Sequence, residues 1–490
     1  MKKYINKINT GILFGLLMFT GFSCTEDFAE MNTDPNNPTS IGAQYLLPFA
    51  IESSIDRYWG GTTRFERLNI DGAMLWVQYL ARNIYSNEGD SYGISPAFYN
   101  NTWSSLYNDG LVNFERIIKQ AAADGPTPNT NYVGIAMVMK TWTYSVLTDL
   151  YGAIPYGEAV KGSADEPIYT PSYDNMEAIY AGMLADLKTA NELLTVGGPS
   201  VSGDIIYNGD IMAWKKFANS LRLKLANRQA VKKPAESKAI MAEILGSPST
   251  YPIFTSNADD AQLVHTATRP SNNTWHEVMV IGGRTDWSIS KTFVDMLMAT
   301  SDPRLGAIAT EVNGTYAGIP NGLPDAIATT YLSSASIMQD KFRDPSAPSV
   351  LMTFSELNFI LAEAVVDGDI TGDAEAYFKA GIDASFEKNG LSPSASFVEG
   401  LGSVTKEKIM EQKYVALFGQ GVEAWTEYRR TGYPVMPAAD PRAIFENDGI
   451  IPTRLPYPTT EYSLNREKLD QGITLNGGPD NMQTKLWWSE

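Results

Sequence analysis

The chain is poor in the residues that most often carry chemistry. Its 490 residues include two histidines and one cysteine. One cysteine cannot build an internal disulfide framework, and so few ligands cannot build a Cys/His zinc cluster. Positive charge is also scarce. Thirty-eight Lys and Arg stand against 56 Asp and Glu, a formal net charge of −18. No basic stripe exists to neutralise phosphates, which excludes nucleic acid as a partner. Charged residues make up only 19% and apolar residues 43%, a balance that favours a large packed core over disorder. Long apolar runs are missing as well. The run Ile12 to Thr20 is shorter than the roughly 20 residues a membrane helix needs.

Catalytic signatures are absent in the same way. His265 and His276 stand eleven residues apart, without metal-ligand spacing, and read as hydrogen-bonded structural residues. There is no G-x-S-x-G elbow and no phosphate-binding G-x-x-x-x-G-K-[ST] loop. Gly419 to Ala424 matches G-x-G-x-x-A, but it follows a helical stripe and reads as a turn between helices. Asp367, Asp369 and Gly372 imitate the start of a calcium loop. The twelfth position is Phe378, not Glu, so a tight turn is the better reading. No catalytic residue, metal or cofactor is expected.

What is present begins at the N-terminus. Lys2, Lys3 and Lys7 precede the short apolar run, as in a secretory signal. Cys24 follows directly after Ser23, like the lipidated cysteine of a lipobox. Residues 1–23 are therefore expected to be a lipoprotein signal peptide. Residues 24–40 are expected to be a lipidated tether, polar and rich in Pro and Asn. Residues 41–490 are left as one domain.

Helical periodicity dominates that domain. Ile70, Met74, Val77, Ala81 and Ile84 form one stripe. Trp103 to Ala121, Ile135 to Val146, Met176 to Leu194 and Trp214 to Leu225 form four more. Thr353 and Glu356 have capping-box spacing before Leu357, Leu361 and Ala364. Phe378, Ile382 and Phe386 follow, then Met410, Tyr414 and Leu417. The expectation is a mainly α fold of tetratricopeptide-like helix pairs with long irregular loops. Residues 85–102 and 251–350 are the loop candidates.

Aromatics are plentiful: 25 Tyr, 19 Phe and 10 Trp. On helical stripes, as for Trp103, Trp142 and Trp214, they read as core. In polar loops they can offer a ring face to a sugar, with amides and guanidinium groups meeting the hydroxyls. The candidate ligand-binding residues are Tyr85, Asn87, Tyr92 and Tyr99 in the first loop. In the second they are Asn273, Trp275, His276, Arg284 and Trp287.

Several segments resemble one family. They are Asn32 to Pro38 (NTDPNNP), Trp103 to Ala121, Asp149 to Ala159 (DLYGAIPYGEA) and Trp214 to Arg228. Further on come Asp302 to Leu305 (DPRL), Ser355 to Ala364, Lys408 to Gly432 and Ile451 to Asn465. This ordered set resembles the SusD/RagB family of Bacteroidetes outer-membrane lipoproteins, in its SusD-like branch. The resemblance implies a single mainly α domain anchored at the cell surface through Cys24. It implies a lid on a SusC-like, TonB-dependent β-barrel that receives captured oligosaccharide without chemistry. Peptide capture by the same architecture, or a purely structural lid, are the alternatives. The family's ligand contacts share no motif, so the site residues above rest on loop position and residue type. Arg222, Arg228, Glu363, Glu423, Arg429 and Arg430 lie in helical stretches and are expected to make structural ion pairs or helix-end contacts.

Overall fold

The computed structural model describes residues 41–163 and 166–489. The signal segment, Cys24, the tether and the Asn32–Pro38 motif lie outside the described residues. Residues from Ala43 onward form one compact unit.

The unit opens with helix α1 (Ala43–Trp59), strand β1 (Leu80–Arg82) and helix α2 (Pro96–Ser105). Five helices follow: α3 (Val112–Ala121), α4 (Thr130–Tyr151), α5 (Met176–Leu193), α6 (Ile211–Gln229) and α7 (Pro234–Gly246). Besides four two-residue strands between α4 and α5, three strands of three or four residues follow α7 among the described residues. They are β2 (Ala261–Leu263), β3 (Trp287–Ile289) and, after helix α8 (Lys291–Ala299), β4 (Ser349–Met352). The chain closes with α9 (Phe354–Val366), α10 (Ala374–Lys388), α11 (Lys406–Ala416), α12 (Gly421–Thr431) and α13 (Arg466–Leu475).

Consecutive helices pack on one another from α3 through α7, and α9 packs on both α10 and α11. This bears out the mainly α architecture. Local chemistry sets the helix starts. Asn175 accepts from the Ala178 amide at 2.8 Å to cap α5, and Thr353 accepts from the Glu356 amide at 3.0 Å to cap α9. Each cap satisfies one of the orphan donors of a first turn. Trp103, Trp142 and Trp214 are buried, as their helical spacing implied.

Two stretches differ from expectation. The stripe from Ile70 to Ile84 stays helical only through Trp76. Ala81 lies in β1, which pairs antiparallel with β3 in the register Leu80–Ile289, Ala81–Ser288 and Arg82–Trp287. The loop assigned to residues 85–102 ends early, because Ser95 and Pro96 start α2. Pro at the first helical position lacks only an amide that would have been orphaned anyway. Tyr99 is therefore a helical residue.

The helical half holds a closed network of buried charge. Arg228 of α6 pairs with Asp149 of α4 at 2.5 Å and with Glu423 and Glu427 of α12. Lys413 of α11 reaches Glu427 at 2.9 Å, and Arg430 joins Glu427 to Glu363 of α9 at 2.7 Å each. Burial alone would raise the Glu427 carboxyl. Arg430, Lys413 and Arg228 outweigh it and hold that carboxyl well below the ordinary carboxylate range. The expected ion pairs are thus present. Arg222 pairs with Glu243, while Arg429 lies 3.6 Å over the Trp425 ring and donates to the carbonyls of Asp149 and Thr453. The two sequence imitations resolve as turns. Asp367 and Asp369 pair with Lys406 and Lys238, and Gly419 takes φ +95° between α11 and α12.

Candidate ligand-binding site

The β1–β3 ladder brings the two long loops together. It places Arg82 directly opposite Trp287, residues 205 apart in the chain. Around this pair lies a second charge network. The Asp71 carboxylate accepts from Arg82 Nη2 at 2.9 Å and from the Trp287 indole N–H at 3.0 Å, and pairs with Arg67 at 3.0 Å. Asp286 accepts from Arg82 Nη1 at 3.0 Å and from Arg284 Nε at 3.0 Å. The guanidinium groups of Arg82, Arg67 and Arg284 lie 4.9, 5.5 and 6.0 Å from the Trp287 ring centroid. The hydrogen bond to Asp286 leads the causes that raise the Arg284 pKa, while burial lowers that of Arg67.

This network opens to solvent at one end. A cleft of about 160 Å³ is lined by Arg64, Arg82, Tyr85, Glu88 and Arg284. Tyr85 is 54% exposed, and Arg284 lies 5.8 Å from its ring centroid. Arg64 and Glu88 form an ion pair at the rim.

The backbone holds Tyr85 there. Tyr85 and Tyr92 both take positive φ, +58° and +64°, which turns the loop sharply. Between them, a Cβ at Gly89 would collide with the Asp71 carbonyl oxygen, so only glycine lets the loop seat this closely. Asp90 is fully buried and accepts from Asn321 Nδ2 at 2.6 Å and the Gly322 amide at 3.1 Å. Burial pushes its carboxyl up to about 7.

Of the candidate residues, Tyr85, Arg284 and Trp287 converge here, with Asn87 exposed on the same loop. The others do not join them. Tyr92 is buried and stacks on Phe445 at 4.3 Å. Tyr99 is buried in α2, where its carbonyl accepts from the Tyr151 hydroxyl. Asn273 is a turn cap: its side-chain oxygen accepts from the Trp275 and His276 amides, and its amide donates to the Ala347 carbonyl. Trp275 is 2% exposed, 5.2 Å from Trp59, and donates to the Trp59 carbonyl. The His276 ring bonds the Arg343 carbonyl at 2.9 Å, and the His265 ring bonds the Ser349 hydroxyl at 2.8 Å.

The expectation that loop aromatics stay open is thereby corrected. Trp287 is 4% exposed and carries the site from beneath instead of presenting a ring face. The loops fold back on the helices and bury their large rings, while side-chain amides satisfy the turns. Arg64, Arg82 and Glu88 were missed: strand pairing over 205 residues leaves Arg82 no local signal, and charge alone does not single out Arg64 or Glu88.

A family model described as "Starch-binding associating with outer membrane", of the SusD-like type, matches residues 35–458. The chain belongs to this SusD-like family. Among solved structures, one titled a chitin-binding protein is 27% identical. The match covers 91% of this chain and 100% of that one, with a TM-score of 0.79. A chitin-binding SusD homolog from Flavobacterium johnsoniae is 22% identical, covers 90% and 98%, and has a TM-score of 0.78. A SusD homolog from Bacteroides uniformis is 24% identical, covers 91% and 99%, and has a TM-score of 0.77. A search of curated proteins returned no match. SusD-like proteins are outer-membrane-associated by the family's description. Among the described residues, no helix is long and apolar enough to cross a membrane.

Proposed function

We propose that this SusD-like protein is a cell-surface lipoprotein that captures oligosaccharide at the Tyr85–Arg284 cleft. It is anchored through Cys24 and passes its ligand to a SusC-like, TonB-dependent barrel without a chemical step. The observation that carries this reading is the Tyr85 ring, held open beside Arg284 while the neighbouring loop aromatics are buried. A sugar can lay its C–H face on such a ring, with hydroxyls meeting the guanidinium groups and the Glu88 carboxylate. The family's starch-binding description and the chitin-binding title of the 27% identical structure support a glycan ligand. The non-catalytic reading is supported by the structural engagement of both histidines and by the Glu88–Arg64 pair.

Electrophoresis of the mature chain through gels containing different polysaccharides tests this. Retardation by at least one glycan, weakened in Tyr85→Ala and nearly unchanged between low and high salt, is expected for a neutral ligand. Retention of oligopeptides but of no polysaccharide would replace it with the peptide-capture reading.

A further inference from the structure

We infer that Trp487 forms a second glycan-binding site at the C-terminal edge of the fold, sharing no residue with the Tyr85 cleft. The inference rests on the glycan-binding reading above. Nine of the ten tryptophans are buried, and Trp487 alone is partly exposed. It does not lie on open surface. It lines a cavity of about 400 Å³ with Met176, Leu486, Asn175 and Asn476. That volume falls within the roughly 300–1,000 Å³ typical of small-ligand sites.

The cavity is built on fixed parts. Trp488 beside it is buried, donates its indole N–H to Asp149 at 3.0 Å and lies under the Arg429 guanidinium. Trp487 itself packs against Tyr180 of α5 at 5.8 Å. The Asn476 side chain accepts from the Ala153 amide and donates to the Tyr151 carbonyl and the Tyr457 hydroxyl, which pins that wall. Asn175 is divided in role. Its oxygen caps α5, while its exposed amide NH₂ has no partner among the described residues.

The chemistry fits one pyranose unit of a glycan chain. Its C–H face meets the indole, and a hydroxyl or acetamido oxygen accepts from the Asn175 amide or the indole N–H. A lone exposed apolar side chain needs no explanation. A tryptophan set in a concavity with a free amide donor does.

The test is calorimetric titration of the mature chain with chitohexaose and with maltohexaose, read together with tryptophan fluorescence. The expected result is two sites per chain for one of these probes. Trp487→Ala removes one site and most of the fluorescence change, Trp487→Phe retains the site, and Tyr85→Ala removes the other. Asn175→Asp keeps the cap oxygen but deletes the donor, and weakens the Trp487 site about tenfold. A single wild-type site that survives Trp487→Ala and Asn175→Asp with its fluorescence change intact overturns this inference alone. Two sites unaffected by Tyr85→Ala overturn the cleft and leave Trp487 standing. Binding of neither probe overturns both.

Discussion

The protein contains two networks of arginine and carboxylate that use the same chemistry to different ends. The one joining Asp149, Arg228, Glu423, Glu427, Lys413, Arg430 and Glu363 is made wholly of buried residues carried on helices. The one joining Asp71, Arg67, Arg82, Asp286 and Arg284 begins equally buried but ends at solvent, beside Tyr85. Closure decides the role. The buried Arg430 guanidinium donates through Nε, Nη1 and Nη2 to the carboxylates of Glu427 and Glu363, whereas Arg284 lines an open cleft.

Breaking the closed network carries the largest expected cost. Arg430→Met leaves Glu363 and Glu427 buried without their main partner and should destabilise the fold by about 3–5 kcal/mol in denaturant unfolding. A loss under about 1 kcal/mol would mean that the network relaxes or hydrates freely. Trp287→Ala should cost a similar amount, about 3–5 kcal/mol, because it empties a buried site beneath three guanidinium groups. Its binding defect then follows from lost structure, and unfolding measured beside affinity separates the two.

Asp56 gives a smaller, pH-dependent effect. Its Oδ1 is buried without a hydrogen-bond partner, and burial, reinforced by Glu52 and Glu66, pushes the carboxyl up to about 7 from 3.8. A folded-state pKa above the unfolded value means stability that is full below about 4 and is lost as pH rises through 7. Asp56→Asn should therefore gain on wild type between pH 4 and 7, by at most about 1.4 kcal/mol per pH unit, and level off above. A difference that stays flat with pH would remove Asp56 from the account.

Arg284→Ala sharpens the comparison from the open side. Stability should change by less than about 1 kcal/mol, while glycan affinity falls about tenfold. At the bottom of the scale, Arg466→Ala breaks an exposed pair with Asp470 and should move stability by no more than about 0.5 kcal/mol.

Much of the closed half was legible in the sequence. The stripe from Met176 to Leu194 and the Thr353–Glu356 cap both report local geometry, and local geometry is what periodicity encodes. The open half was legible only in part. Tyr85 and Arg284 stood out by residue type. The burial of Trp275 and Trp287 did not, because the polar residues around them, Asn273 above all, are occupied with turns rather than with solvent. Ala81 extended a helical spacing into what is a strand, and Ile84 into the bend after it, since the pairing of β1 with β3 is set by residues about two hundred positions away. The start of α2 at Ser95–Pro96 lies inside a stretch whose polar composition reads as loop.

The most direct measurement of the central claim is calorimetric titration of the Tyr85→Ala, Arg284→Ala double variant with the hexasaccharide that wild type binds, paired with its unfolding midpoint. The expected result is loss of one site per chain with the midpoint close to wild type. An unchanged titration curve would contradict it and move the ligand away from the cleft.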